Sequence, residues 1–273
     1  MLRPAQWQAL VRDAADEVRA GSLYKVVLAR EVHLTQTRPF DIPRALDQLR
    51  RIYPGAFLFA VARGRQCFFG ATPERLVRLL GRKVDVTALA GTCQRGGHGA
   101  EDRALGEQLM KSAKDRHEHA LVVGTLRAAL QSCCEVLNVP HEPVLLKLKN
   151  MQHLHTPVSG ELKAGVTLLD LVATLHPTPA VGGLPRAPAL QYLRTHEQLD
   201  RGWYAAPVGW MDAHGDGEFA VALRSALVNG SAASLFAGCG IVGDSEPEHE
   251  FLETCLKLRT MMFALGQDER AHG

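Results

Sequence analysis

The sequence feature that most constrains the fold is a glycine-rich stretch near the C-terminus, Gly238-x-Gly240-x-x-Gly243, which joins a predicted strand to a predicted helix. Its spacing matches the dinucleotide fingerprint of the Rossmann fold. That fold also needs a further strand with a ribose-binding acid, and too little chain follows here to supply one. We therefore reject a Rossmann fold. The glycines indicate either a tight turn or a close backbone approach, and amides at a helix start can bind a carboxylate.

The helix predicted after these glycines carries Glu250, Glu253 and Lys257 at steps of three and four residues. Side chains at this spacing share one helix face. Ser245 is expected to cap the helix and Pro247 to lie in its first turn, near the end that favours anions. Such a face can hold a metal ion together with a carboxylate. The alternative is a solvated stripe of charges.

Composition narrows the class of protein. The 273 residues, 46% of them hydrophobic, can bury a large core, and no linker divides them, so we predict one domain over residues 1–273. The net charge of +2 with scattered basic residues argues against a nucleic-acid partner. No stretch approaches the ~20 apolar residues of a membrane span, and no signal core opens the chain. We therefore expect a cytoplasmic protein without membrane contact.

The six cysteines form no Cys-x-x-Cys pair, so neither a disulfide framework nor a zinc site is expected.

Hydrophobic periodicity groups strands and helices more than it alternates them. The predicted helices are 7–18, which Gly21 ends, then 102–130, 167–175, 188–199 and the C-terminal helix. The predicted strands are 25–34, 56–62, 67–70, 75–80, 84–90, 207–211, 218–228 and 234–237, with a mixed stretch over 144–162. This order predicts an α+β fold in which a large, mainly antiparallel sheet region is flanked by helices.

Two titratable residues lie where apolar strands would bury them. Lys25 opens the strand Lys-Val-Val-Leu-Ala-Arg, where burial would favour the neutral amine, a base; the alternative is a lysine that reaches solvent. Glu74 lies between two predicted strands, where a carboxyl could stay protonated and donate; the alternative is a turn carboxylate paired with an arginine. Together they would suit a base and an acid acting on opposite faces of one substrate.

The triplet His117-Glu118-His119 looks like a metal site, but residues two apart point to different helix faces, so zinc is not expected. Glu118 alone indicates a solvated helix residue. Paired with Glu253, it would complete an oxygen-only site suited to Mg²⁺.

Several segments together resemble the chorismate-utilising enzymes, which include the isochorismate, salicylate, anthranilate and aminodeoxychorismate synthases. The segments are KVVLAR at Lys25, ATPERL at Ala71, ALAGT at Ala88, KDRHEH at Lys114, LHPTPAVGG at Leu175, RGWYAAPVGW at Arg201, ALRSA at Ala222 and LFAGCGIVGDSEPEHEFLET at Leu235. The resemblance runs from about Gly21 to Leu265 and implies the anthranilate-synthase-like, chorismate-binding fold.

The resemblance is strongest to the isochorismate synthases. Their pattern has a lysine where Lys25 lies, whereas the anthranilate type usually has glutamine. Aminodeoxychorismate synthases carry a nucleophilic lysine where this chain has Ala90. The implied reaction is the Mg²⁺-dependent conversion of chorismate to isochorismate, by addition of water at ring C2 and loss of the C4 hydroxyl. It needs no glutamine amidotransferase partner.

The resemblance also implies a role for each matching residue. Lys25 would be the base that activates water, and Glu74 the acid that protonates the departing hydroxyl. Glu118 and Glu253 would hold Mg²⁺, with Glu250 beside them or acting through water. The residues expected to contact chorismate or lie near its ring are Gly91, Thr92, His176, Tyr204, Arg224, Gly238 and Lys257.

Two alternatives stay open at this point. Salicylate synthases share the lysine and glutamate and then eliminate pyruvate. A partner-dependent chorismate-binding subunit with little activity alone would need the carboxylate contacts but neither acid nor base. Relatives are commonly longer at the N-terminus, and their helix motif often has an acid where this chain has Ala113. The product would serve menaquinone, siderophore or salicylate biosynthesis, and a homo-oligomer is left open.

Overall fold

The computed structural model describes residues 3–148 and 151–267. Its helices are α1 (Pro4–Arg19), α2 (Ile42–Ile52), α3 (Gly99–Lys111), α4 (Ala113–Cys133), α5 (Leu168–Leu175), α6 (Arg186–His196) and α7 (Pro247–Ala264). Its strands are β1 (Lys25–Thr35), β2 (Phe57–Arg63), β3 (Gln66–Thr72), β4 (Arg75–Leu80), β5 (Lys83–Gln94), β6 (Cys134–Asn138), β7 (Val144–Lys147), β8 (Met151–Leu162), β9 (Gly183–Leu184), β10 (Pro207–Met211), β11 (Gly217–Val221), β12 (Ser225–Asn229) and β13 (Ala232–Ile241).

The chain divides into two compact units that interleave along the sequence. Unit 1 comprises the chain up to Pro73, then Val181–Ala206, then the chain from Ala222 on; unit 2 comprises Glu74–Ala180 and Pro207–Val221. Because each unit draws on separate stretches, no single linker marks the division. The expectation of one domain over residues 1–273 stays a prediction.

Unit 1 is built on a six-stranded antiparallel sheet in the order β2-β3-β12-β13-β1-β9. The long pair β1–β13 begins where Val26 faces Ile241. Because side chains alternate across a strand, Val32 and Leu34 of β1 enter a core with residues of α2 and α7, such as Leu49 and Leu258. A second core joins the same sheet to α1 and α6; it includes Trp7, Leu28 and Ala189.

Unit 2 is built on a seven-stranded antiparallel sheet. Its strands follow the order β10-β11-β4-β5-β8-β6, and β7 also pairs with β8. The register of the long pair β5–β8 shifts between Ala90 and Thr92. Gly91 forms this bulge with φ +78°, a backbone conformation that glycine adopts without strain. The predicted α+β class with antiparallel sheets and flanking helices is confirmed.

Two sequence predictions of elements were wrong, and one helix was missed. The predicted helix over 102–130 is two helices, because Ser112 takes an extended backbone and its side chain accepts a hydrogen bond from the Asp115 amide at the start of α4. The predicted strand over 218–228 is two strands, and Arg224 between them has φ +48°. Helix α2 was not predicted.

The glycine-rich segment and the cap of the last helix also differ from expectation. Gly238 and Gly240 belong to strand β13 and do not form a loop. Glu246 is the N-cap residue of α7 and makes no side-chain cap, while the Ser245 hydroxyl accepts a hydrogen bond from the Val242 amide instead. Pro247 opens the helix as predicted.

Candidate functional site

Glu253 and Lys257 share one face of α7, as their spacing predicted. The Lys257 ammonium lies 2.5 Å from Glu253 Oε1 and donates a 2.8 Å hydrogen bond to the Gly238 carbonyl. Burial is the largest influence on the pKa of Lys257 and acts to lower it, but the charge and hydrogen bond of Glu253, together with Cys239, leave that pKa raised. Lys257 is therefore a fixed positive charge that links the helix to β13.

Tyr204 lies beside this pair, buried to 6% exposure and stacked on Phe236 with ring centroids 5.4 Å apart. Burial raises the pKa of Tyr204, and the charges of Arg201, Lys257 and Arg224 act in the opposite direction. The phenol therefore stays neutral and can donate a hydrogen bond.

Gly238 makes room for that phenol. A Cβ at this position would lie 3.1 Å from the Tyr204 hydroxyl and 2.6 Å from the Leu28 carbonyl oxygen. The close backbone approach suggested by the glycines is confirmed here.

Arg224 and Lys257 are close enough that each cation affects the same neighbours. The Arg224 charge acts to lower the pKa of Lys257. The charges of Arg224 and Lys257 both act to lower the pKa of Tyr204. The Arg224 backbone is fixed, since its carbonyl accepts a 3.1 Å hydrogen bond from the Ala71 amide. Two cations and a phenol in one place are suited to binding carboxylates. We call Tyr204, Arg224 and Lys257 the cationic cluster.

Glu250 is buried one turn before Glu253, with 5% of its surface exposed. Its carboxylate hydrogen-bonds the Cys239 thiol of β13. Burial first, and then the negative charges of Glu250 and Glu253, raise the pKa of Cys239 well above its usual value. The thiol therefore stays protonated and donates to the carboxylate.

Lys25 is the first residue of β1 and only 2% exposed, which confirms the predicted burial. Its Cα is in register with Leu184 of β9. Gly183, with φ +136°, passes so close that a Cβ there would lie 2.4 Å from the Lys25 carbonyl oxygen. The second glycine of the LHPTPAVGG segment, Gly183, therefore has a steric role beside Lys25.

A buried ion pair that the sequence analysis missed supports the same strand. The Glu197 carboxylate, 3% exposed, accepts a 2.8 Å hydrogen bond from the Ala29 amide and two from the Arg201 guanidinium, at 2.7 and 2.6 Å. Arg201 also donates to the Val27 carbonyl at 2.6 Å and, through its own carbonyl, begins the turn that carries Tyr204. The only available signal was the i, i+4 spacing of Glu197 and Arg201.

In unit 2, Glu74 lies just before β4 and is 8% exposed, so its predicted burial is also confirmed. Its carbonyl accepts a 3.0 Å hydrogen bond from the Val221 amide at the end of β11. The backbone that carries the carboxyl is thus tied to the sheet.

Helix α4 is fixed to the sheet of unit 2 by His119. The His119 Nδ1 lies 3.2 Å from the Ala90 carbonyl and Nε2 lies 2.8 Å from the Thr156 hydroxyl. Because a carbonyl only accepts, Nδ1 carries the hydrogen and Nε2 accepts from the hydroxyl. Burial lowers the pKa of His119, in agreement with a neutral ring. His117 is exposed and Glu118 half-buried, so the triplet diverges around the helix as predicted.

The remaining predicted residues of unit 2 lie at two places. Thr92 follows the Gly91 bulge, and its hydroxyl lies 2.9 Å from Nδ1 of His153. His176 ends α5, where its amide donates to the Val172 carbonyl, and it is partly buried.

The structure thus collects Tyr204, Arg224, Gly238, Glu253 and Lys257 in unit 1, with Glu250 and Lys25 on elements of the same unit. The predicted residues of unit 2 are Glu74, Gly91, Thr92, Glu118 and His176. Their roles stay predictions.

The carboxylates of Glu250 and Glu253 have the donor atoms that Mg²⁺ prefers. Within residues 3–148 and 151–267, no group of three His, Cys, Asp or Glu side chains is gathered as a preformed metal site. Mg²⁺ does not need one, because it takes one or two carboxylates and completes its shell with water and substrate oxygens. Glu250 and Glu253, one helical turn apart with a lysine to balance their charge, fit Mg²⁺ in donor chemistry.

The antiparallel α+β fold and the cationic cluster suit a protein that binds a carboxylate ligand, and the comparison with known families gives the class. The chain belongs to the chorismate binding enzymes, which it matches over residues 1–266.

Three similar proteins carry the name isochorismate synthase. Over 95% of its length the chain is 54% identical to the salicylate biosynthesis isochorismate synthase of Pseudomonas aeruginosa, and over 97% it is 44% identical to the isochorismate synthase MenF of Bacillus subtilis. It spans 54% and 56% of the length of these two relatives. The structure of the menaquinone-specific isochorismate synthase MenF from Escherichia coli matches with a TM-score of 0.90 at 34% identity, covering 97% of this chain and 61% of that one.

None of the helices in the described ranges has the length and apolar character that crossing a membrane requires.

Proposed function

We propose that the chain is an isochorismate synthase that converts chorismate to isochorismate with Mg²⁺. The observation that carries the proposal is the burial of both Lys25 and Glu74. Burying ionisable groups opposes folding, so a protein that only bound chorismate would have no use for both. The names of the relatives, which span the salicylate and menaquinone routes, support the same reaction.

The cationic cluster would bind the substrate. Chorismate is a dianion, and Arg224 and Lys257 supply two positive charges, with the neutral phenol of Tyr204 as a further donor. Gly238 allows the phenol to approach β13. Gly91, Thr92 and His176 are proposed as further residues that contact the substrate.

The chemical step would need one base and one acid. Lys25 takes a proton from water as the water oxygen bonds to ring C2, the ring double bonds shift, and the C–O bond at C4 breaks. Glu74 gives its proton to the departing hydroxyl, which leaves as water. One water is consumed and one released, so the reaction is an isomerisation, and solvent restores both groups.

Glu118 and Glu253 would hold Mg²⁺, with Glu250 beside them or acting through water. When bound, the ion supplies positive charge to the ring carboxylate of chorismate. The protein residues keep their own tasks of binding, orientation and proton transfer.

The test is to incubate the purified protein with chorismate and Mg²⁺, without an ammonia source, and to identify the products by chromatography with mass detection. Isochorismate is the expected product, and its absence with a Glu74→Gln variant would support the proposed acid. Salicylate with pyruvate would indicate a salicylate synthase. Unchanged chorismate that nevertheless binds would indicate a partner-dependent subunit.

Three expectations accompany the proposal. The chemistry requires no glutamine amidotransferase, and a homo-oligomer is compatible with it. The cytoplasmic location also stays a prediction.

A further inference from the structure

Arg30 is a buried cation in the contact between β1 and α7. Only 6% of its surface is exposed. Its Nε donates a 2.7 Å hydrogen bond to the Thr254 hydroxyl, and an NH₂ group lies 3.1 Å from the Cys255 sulfur. The guanidinium carbon lies 4.5 Å from the centre of the Phe251 ring. One side chain of the sheet therefore contacts three residues of the last helix.

The three contacts fall beside the face of α7 that carries the acidic residues. A helix turns by about 100° per residue, so positions 251, 254 and 255 form one face. Positions 250, 253 and 257 form the neighbouring one, as their spacing predicts. Holding the first face against β1 sets the direction in which Glu250 and Glu253 point.

The bond to Thr254 is also directional. The Thr254 hydroxyl donates its hydrogen to the Phe251 carbonyl at 2.7 Å and accepts from Arg30 with a lone pair. The hydroxyl is itself buried, with no surface exposed. Arg30 thus bonds a group whose orientation the helix has already fixed.

An apolar residue at position 30 would be the simpler choice for stability. Arg30 lies between two apolar cores on the same face of the sheet, one that includes Leu28 and one that includes Val32, and a buried guanidinium is expensive to desolvate. Burial lowers the pKa of Arg30, which reflects the same desolvation. Apolar packing, however, tolerates a helix that turns or slides, whereas two hydrogen bonds and a ring contact do not.

We infer that Arg30 is a positioning residue that fixes the rotation of α7 and thereby the Mg²⁺ affinity of Glu250 and Glu253. This inference rests on the proposed function, because it assigns those carboxylates to the metal. Residues that hold metal ligands in place typically change affinity by about 10- to 100-fold when they are removed.

The test compares Arg30→Met with Arg30→Lys and with Arg63→Met, an exposed arginine of β2 changed in the same way. Arg30→Met is expected to weaken Mg²⁺ binding by about 10-fold or more in calorimetry, and to raise the Mg²⁺ concentration for half-maximal turnover by the same factor. Turnover at saturating Mg²⁺ should recover. Arg30→Lys, which keeps the charge but not the two-point geometry, should lie between, and Arg63→Met should match the wild type.

The alkylation rate of Cys255, followed by mass spectrometry of its peptide, reports the contact without any chemistry on chorismate. It should differ between Arg30→Met and the wild type, because the guanidinium no longer contacts the sulfur. An inactive wild type would refute the proposed function, while the Mg²⁺ affinities of the variants would still judge the inference. Unchanged Mg²⁺ binding in folded Arg30→Met overturns it, whatever Cys255 does. Should Arg30→Met fail to fold, Thr254→Val removes the acceptor with little change of volume and faces the same criteria.

Discussion

Lys25 and Glu197 show what individual side chains do at the residue scale. Lys25 could be chosen from the sequence, because an amine at the start of an apolar strand stands out. Glu197 could not, because its importance comes from the Ala29 amide and Arg201, which are brought to it by folding. Burial of Lys25 and Glu74 was predictable from the strands around them, whereas the cationic cluster depends on contacts among α7, β13 and two connecting segments.

Replacing Lys25 by alanine is expected to abolish turnover while chorismate still binds. A base acts on the chemical step more than on the bound ground state, and Arg224, Tyr204 and Lys257 remain in place. Steady-state kinetics and calorimetric titration with chorismate measure the two effects. Loss of binding as severe as the loss of turnover would assign Lys25 to binding and contradict its role as a base.

His119 should make the stability depend on pH. Burial lowers its folded-state pKa below the ordinary 6.5, so in acid the unfolded chain binds a proton that the folded chain does not. Stability is therefore complete above about pH 6.5 and is lost as the pH falls below it. Urea unfolding at pH 7.5 and 5.5 should show a larger loss for the wild type than for His119→Gln. Equal losses would show that His119 does not contribute.

The elements differ in how much of them the sequence predicts. Strand β1 and the end of α1 follow from periodicity and from Gly21, whose φ of +88° ends the helical segment. The break between α3 and α4 was missed because the apolar ridge runs through it. The signal was Ser112 with Asp115 three residues later, a capping pattern inside an otherwise helical stretch. The turn at Arg224 carries no such signal, since its positive φ is set by tertiary contacts.

Breaking the Glu197–Arg201 pair should loosen the connection of α6 to β1. Glu197→Gln removes the charge that compensates a largely buried guanidinium, and losing one partner of a buried pair costs about 3–5 kcal/mol. Urea unfolding measures this change in free energy. Glu246→Gln, at the exposed start of α7, is the control and should change stability by less than about 0.5 kcal/mol. A similarly small effect of Glu197→Gln would mean that water replaces the carboxylate without loss.

At the scale of the whole molecule, the order of strands in space departs from their order in the chain. The hairpin β10–β11 belongs to unit 2 but follows a stretch of unit 1, and Phe219 pairs with Val77 of β4. Periodicity predicts each strand, but it carries no information about which distant strand pairs with it. The grouping into an α+β fold was therefore predictable, and the interleaving of two units was not.

Fragments of unit 2 should reveal this topology. A fragment of residues 74–180 lacks β11, so β4, whose Leu76 and Val77 are buried, becomes an open edge. It should aggregate in size-exclusion chromatography. The same fragment joined by a short glycine-serine linker to residues 207–221 should stay monomeric and unfold cooperatively by circular dichroism. Identical behaviour of the two fragments would show that β11 is dispensable for unit 2.

The pairing of β1 with β13 also has a consequence during synthesis on the ribosome. Val26 meets Ile241, so the strand that begins with Lys25 cannot complete its hydrogen bonds until about 215 further residues have emerged. At ~5–20 residues per second, that wait is on the order of 10–40 s. During it, the apolar nascent strand is exposed to chaperones and to neighbouring chains. The sheet that supports the proposed catalytic base is thus completed only after the strands of unit 2 have been synthesised.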